Sequence, residues 1–419
     1  MSEASASPEV AEPWGIGPPV PPEGRVWFPA IEVLRGIAAL AVVADHTWAL
    51  SGTSDSFGFS IVRGLGTWGV DVFFLLSGYL LVDYFWVNRG DKSTLEFYVR
   101  RFFRIAPAYY ACVAILYLFF AVHDQVFSLQ GFKQILANAT FTQHYFPGTE
   151  SNLNVDGSLW TLSIEMTLYL VMPFFAFVIA KKPVLATGAL IAVGVGWNAF
   201  VQFHGAGMRG YYFGATDPST WGGQYIYISR QFIGLIPIFA IGMGLRWAVL
   251  KGYFDFWVKR PSRHPSVLVL LALLIPSMLA LRYPGISSLW SYNVRFITYD
   301  YLLAILAIPA LLYAARPSPV HLHAAMRAGV WMGERSYGLY LWHFPVILSV
   351  YGMGPETMPP NLHHIVIKVI MIFAISIGLG WASFSFIERP CRLRGRDLGR
   401  ATTAWRRRHR GPLDLAPSS

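Results

Sequence analysis

Charge is what this 419-residue chain has little of: Asp, Glu, Lys and Arg make up 13% of it, against about a quarter in a soluble protein. With 54% hydrophobic residues and a mean hydropathy of +0.44, that shortage excludes a string of soluble domains and points to a polytopic membrane protein. Acid is the scarcer sign, with 23 acidic against 33 basic residues. The excess is no nucleic-acid footprint, because the basic residues fall beside apolar stretches and not on one compact domain. Cysteine is almost missing. Cys112 lies in an apolar run and Cys391 in a basic tail, which excludes a disulfide framework. No Cys/His spacing suits a metal, and no internal repeat is visible.

What is present is apolar sequence in span-sized pieces, each near the ~20 residues that cross a bilayer as helix. Ten candidates follow one another: 31–50, 67–87, 104–122, 158–180, 183–202, 231–250, 266–282, 297–315, 336–353 and 365–387. Pro276 and Pro345 would kink the seventh and ninth. Residues 1–29 are rich in Pro, Ser, Ala, Gly and Glu without an apolar core, which predicts a disordered leader and not a signal peptide. Residues 30–390 form the membrane domain, and 391–419 a basic cytoplasmic tail. If the chain starts inside, 25 of the 33 Lys and Arg fall on the inner side and six on the outer, with Arg35 and Lys368 within spans. The excess predicts both termini in the cytoplasm. The expected fold is an all-α bundle of about ten transmembrane helices.

Within this apolar background, the ionisable residues stand out as candidate functional groups. The first span, Ile31 to Leu50, carries Arg35 and His46. Eleven residues at ~100° each return to nearly the same helical face, ~16 Å along the axis. Snorkelling to headgroups explains either residue alone but does not require a shared stripe. Asp71 in the second span, Glu165 in the fourth and His343 in the ninth fall at depths overlapping that of His46. Charges so deep need partners or water, which predicts one shared cavity in which the four face each other. Ser77, Trp160, Tyr340 and His343 are candidate substrate contacts. Ser77 could be a nucleophile, although a serine before Gly78 also suits close helix approach.

The basic segment Tyr98 to Pro107 presents Arg100, Arg101 and Arg104 to the cytoplasmic side. Guanidinium groups bind phosphate through paired hydrogen bonds, so these three are candidate ligands for a phosphorylated cytosolic molecule, though topology alone also places arginines there. The outer loops 123–157 and 203–230 mix His, Tyr and Trp with acids, a composition that fits a carbohydrate platform or an interfacial aromatic belt.

Taken together, Arg35 and His46 with ten residues between, Phe73-Phe74-Leu-Leu-Ser77-Gly78, Arg101-x-x-Arg104, the segment Trp160 to Glu165, Ser336-Tyr337 with Tyr340-Leu-Trp342-His343, and the closing Glu388-Arg389-Pro390 resemble the acyltransferase-3 family of membrane O-acyltransferases. The resemblance runs in order from about residue 29 to 390. It implies transfer of an acetyl or other short acyl group from acyl-CoA to a hydroxyl of a sugar, glycan, glycolipid or macrolide, and it implies that Arg35 and His46 are required. The chain resembles the standalone type, without an appended esterase-like domain. On this basis Arg101 and Arg104 would hold the CoA phosphates, the pantetheine arm would pass Arg35, and His46 would act as general base, oriented by Asp71 or Glu165. Glu388 and Arg389 would form a structural ion pair, with Pro390 as the helix stop. The rival from another class is a transporter or flippase using the same polar residues as a pathway. Against it stands the lack of a visible inverted repeat.

Overall fold

The computed structural model describes residues 28–49, 57–87, 92–120, 126–146, 149, 157–213, 221–259, 267–268, 270–272, 294–317, 322, 324–351 and 362–409. Among them the chain is helical throughout, without a strand. The longer helices are α1 (Pro29–Ala49), α2 (Phe57–Leu81), α3 (Thr94–Phe119), α4 (Leu129–Ala139), α5 (Trp160–Lys181), α6 (Pro183–Phe213), α7 (Phe232–Leu250), α8 (Val294–Ala314), α9 (Ala324–Glu334), α10 (Ser336–Tyr351), α11 (Leu362–Ser383) and α12 (Arg389–His409). Among the described residues, six stretches are long and apolar enough to cross a membrane: Gly64–Trp86, Thr94–Phe119, Trp160–Lys181, Pro183–Gly205, Phe232–Leu250 and Ile365–Arg406. The expected seventh span and the leader before residue 28 fall largely outside the described residues.

Helix α1 is the hub. It packs against α2, α9 and α10, and α2 in turn packs against α7. The α2–α7 crossing is close because glycines line it: a Cβ on Gly78 would collide with the Phe239 carbonyl, and one on Gly242 with that of Leu75. Small residues let backbones approach where a bilayer supplies no hydrophobic drive between helices. Gly78 thus has the packing role its position after Ser77 suggests.

Two expected boundaries are corrected. Helix α3 begins ten residues before the predicted span, because Ser93-Thr-Leu-Glu96 forms a capping turn in which the Ser93 hydroxyl accepts from the Glu96 amide at 3.1 Å. The arginine segment therefore belongs to α3 itself, ahead of the predicted span. Pro390, expected to end the last span, does not. The Arg389 N–H bonds the Phe384 carbonyl across a π turn at Phe384–Glu388, and the chain continues directly into α12. A proline leaves a carbonyl without its helical donor, and the wide turn next to it absorbs that loss.

The part of the tail up to His409 accordingly is a helix docked along α3. Thr403 Oγ1 donates to Glu96 Oε2 at 2.6 Å and lies 3.2 Å from Ser93 Oγ. Arg100 completes the knot through an ion pair with Glu96. A Cβ on Gly395 would meet Phe103, so the two helices touch there almost backbone to side chain.

Candidate active site

Helices α1, α2, α3, α5 and α10 enclose a cavity of about 470 Å³. Glu32 and Arg35 from α1, Arg101 and Arg104 from α3, and Glu165 and Tyr169 from α5 make its polar wall. Phe73, Phe74 and Ser77 of α2 and Tyr337 and Tyr340 of α10 also line it. Arg35 Nη1 sits 3.3 Å from Glu32 Oε2, one helical turn away on α1. Tyr169 donates a very short hydrogen bond to Glu165 Oε1, and the Arg101 guanidinium lies 5.8 Å from the Tyr169 ring centroid and 5.5 Å from that of Phe97. Arg101 Nε is buried and lacks a hydrogen-bond partner. Arg246, bonded to both oxygens of Asp83 at 2.7 and 2.8 Å, belongs to the same wall.

Tyr340 marks the end of the cavity nearest α10's interior. Its hydroxyl bonds the Ser158 carbonyl at 2.8 Å and Thr161 Oγ1 at 2.7 Å, tying α10 to the start of α5. Three residues on, His343 is fully buried, and its Nε2 lies 2.8 Å from His46 Nδ1. The two rings stack with centroids 5.1 Å apart. His343 Nδ1 is 2.5 Å from the Tyr340 carbonyl oxygen. A carbonyl only accepts, so Nδ1 carries the His343 proton and Nε2 its lone pair. His46 Nδ1 is then the donor to His343. For two neutral rings this leaves Nε2 of His46 as the nitrogen able to take a proton.

The four deep groups expected in one cavity are thus divided among three places. His46 meets His343. Glu165 joins Tyr169 on the cavity wall, within Coulombic reach of Arg101 and Arg104. Asp71 is 2% exposed with Oδ2 unpartnered, and its electrostatic neighbours are Arg230 and Asp300. Arg230 grips Asp300 through two hydrogen bonds of 3.0 Å, with Asp45 also in Coulombic range. Depth along a helix axis was the common coordinate of the four, and the helical face each occupies separates them. Neither Asp71 nor Glu165 takes the His46 ring position that the sequence assigned to them; His343, expected to touch substrate, occupies it.

The other expected site residues divide similarly. Arg35, Ser77, Arg101, Arg104 and Tyr340 line the cavity, whereas Arg100 turns to Glu96 on the α12 side. Trp160 stands outside it, with its ring 5.2 Å from His144, 6.3 Å from Phe74 and 5.9 Å from the Arg230 guanidinium. Sequence reasoning missed Tyr169, Arg246, Arg230 and Asp300. For the last two the signal was available, since an arginine and an aspartate beside apolar spans need partners.

A family model described as "Acyltransferase domain", that of the acyltransferase-3 family, matches residues 28–381. Among curated proteins, the peptidoglycan O-acetyltransferase OatA of Listeria monocytogenes is 26% identical over 397 residues, covering 88% of this chain and 57% of the relative. The putative peptidoglycan O-acetyltransferase YrhL of Bacillus subtilis is 27% identical over 386 residues (88% and 55%). The O-acetyltransferase OatA of Staphylococcus aureus is 24% identical over 392 residues (88% and 58%). The chain spans little more than half the length of these relatives. No solved structure matches it. With most of its length matched by the family model, and with several helices able to cross a membrane, the chain belongs to the acyltransferase-3 family, and residues 28–381 are its acyltransferase domain.

Proposed function

We propose that this protein is a multi-pass membrane O-acetyltransferase that moves an acetyl group from acetyl-CoA to a hydroxyl of a cell-envelope glycan. The observation that carries the reading is the alignment of an arginine-lined cavity with a histidine pair just past its Tyr340 end. The names of the relatives supply the acceptor class, and the Lys/Arg distribution supports a topology of about ten spans with the arginine end in the cytoplasm.

In this reading Arg101 and Arg104 hold the CoA phosphates, with the partnerless Nε of Arg101 ready for an anion, and the pantetheine arm lies along Phe73, Ser77 and Arg35. The thioester then reaches the Tyr340 end. The acceptor oxygen attacks the thioester carbonyl carbon as its proton passes to His46 Nε2. His343, accepting from His46 Nδ1, stabilises the imidazolium that forms, as the third group of a triad does. The tetrahedral intermediate collapses with cleavage of the C–S bond, and the CoA thiolate takes the proton from His46. Ester and CoA thiol are the products, and His46 is restored.

The test uses purified full-length protein in nanodiscs with radiolabelled acetyl-CoA and envelope glycan, comparing wild type with His46→Ala. Glycan-dependent CoA release and a labelled product that vanish in the variant support the reading. No release from folded wild type with acetyl-, propionyl- or isovaleryl-CoA refutes it.

A further inference from the structure

We propose that the turn entering α5, and the Ser158 hydroxyl within it, form the oxyanion site of the transfer. The proposal rests on the acetyltransferase reading above and adds the group that reading lacks.

Ser158 is fully buried, yet its Oγ has no hydrogen-bond partner. A buried hydroxyl normally finds one, so this hydroxyl keeps a donor to spare. The turn that contains it opens a 22-residue helix with no side-chain cap: Leu159 stands at the N-cap position and caps nothing. An uncapped helix start presents a positive dipole end and favours negative charge.

Its location is fixed from two sides. Tyr340 Oη donates to the Ser158 carbonyl oxygen, which ties the turn to α10 one helical turn ahead of His343. Gly157 lies against the Phe344 ring so closely that a Cβ would overlap the ring carbons. Phe344 in turn presents its edge to His46, with centroids 6.2 Å apart. Thr161 and Leu162, the next residues of the same turn, line the cavity. The start of α5 therefore borders the cavity through Thr161 and Leu162 and touches Phe344, the ring neighbour of His46, through Gly157, beside the path that joins thioester and acceptor hydroxyl in the reading above.

Attack on the thioester carbon pushes the carbonyl electron pair onto oxygen. Ser158 O–H donates to that oxygen and the helix dipole stabilises its charge; when the C–S bond breaks, the oxygen pair re-forms the carbonyl and the sulfur leaves as thiolate with the C–S bonding pair, to be protonated by His46. A donor fixed in a dry site in advance is worth more than the same donor in water.

Acetyl transfer by the full chain in nanodiscs provides the test, with wild type, Ser158→Ala, Ser158→Thr and, as a control on the same helix, Ser163→Ala, whose hydroxyl is also buried and unpartnered. Ser158→Ala is expected to lower kcat by about 10²- to 10³-fold with KM for acetyl-CoA little changed. Ser158→Thr should recover much of the loss, and Ser163→Ala should resemble wild type. A kcat in Ser158→Ala within about threefold of wild type, or an equal loss in Ser163→Ala, overturns the proposal. Should Ser158→Ala fail to fold, Ser158→Cys, near-isosteric with only a weak donor, replaces it under the same criterion. Inactive wild type would sink the acetyltransferase reading itself, whereas active wild type with active Ser158→Ala would sink only the oxyanion site.

Discussion

His343 holds the His46 ring from a helix nearly 300 positions further along the chain, Nε2 to Nδ1 at 2.8 Å, with its own Nδ1 anchored on the Tyr340 carbonyl. The chain carbonyl sets the tautomer of the first ring, and the first ring sets that of the second. Proton placement at this pair thus depends on one backbone oxygen. His343→Ala should cut kcat by about 10²-fold, within the range for general-base machinery, while leaving acetyl-CoA affinity intact. His343→Asn, which can still offer an oxygen to His46 Nδ1–H, should be milder. Steady-state kinetics on both variants would settle it, and equal activities would remove the tautomer argument.

Arg101→Ala and Arg104→Ala should each weaken acetyl-CoA binding by roughly 10- to 100-fold, the worth of a hydrogen bond to a charged group. The loss should shrink as salt rises, since screening weakens the wild-type interaction. Titration with a non-hydrolysable acetyl-CoA analogue at two ionic strengths would check this. Unchanged affinity in both variants removes the phosphate role. Arg100→Ala should leave affinity near wild type, because that side chain is committed to Glu96.

The Arg230–Asp300 pair offers a stability test. Asp300→Leu alone strips both 3.0 Å hydrogen bonds from a partly buried guanidinium and should cost about 1.5–3 kcal/mol. Arg230→Met with Asp300→Leu should be less damaging than either single change, because neither member of the pair is left facing an empty place. Thermal unfolding in detergent would compare them. A double variant worse than both singles would show that Arg230 also steadies Asp71 or Asp45 beyond what pairing with Asp300 supplies.

Thr403→Val removes the hydroxyl that joins Glu96 to Ser93. Helix α12 should loosen from α3, and trypsin cleavage among its arginines should accelerate about tenfold for each ~1.4 kcal/mol lost. Cleavage as slow as in wild type would mean that the close approach of Gly395 to Phe103 holds the helix without this hydroxyl.

The apolar runs made most of the fold legible, and α1, α5, α7, α8 and α10 each start within three residues of the predicted spans. The start of α3 was equally legible in Ser93-x-x-Glu96, but the span was drawn on the apolar run alone and so began only at residue 104. The site was legible in its residue types and not in its pairings. Residue spacing gives depth along a bundle, and depth placed His46, Asp71, Glu165 and His343 together. Which helix turns which face toward which neighbour depends on contacts such as Gly78 on Phe239, and these only the three-dimensional packing specifies. The continuation through Pro390 was hidden for a similar reason, since a π turn has no composition of its own.

Tyr340 divides the molecule's chemistry into two ends, with arginines and Glu165 on one side and the two histidines past the other. Substitutions that far apart, sharing no partner, combine nearly additively. Under the proposed transfer, descendants of such a chain can therefore drift toward a new acceptor at the histidine end without relearning how to grip the donor. The same partition makes chimeras a practical way to exchange acceptor preference between relatives, with the junctions placed in α5 and α10 on either side of the tyrosine.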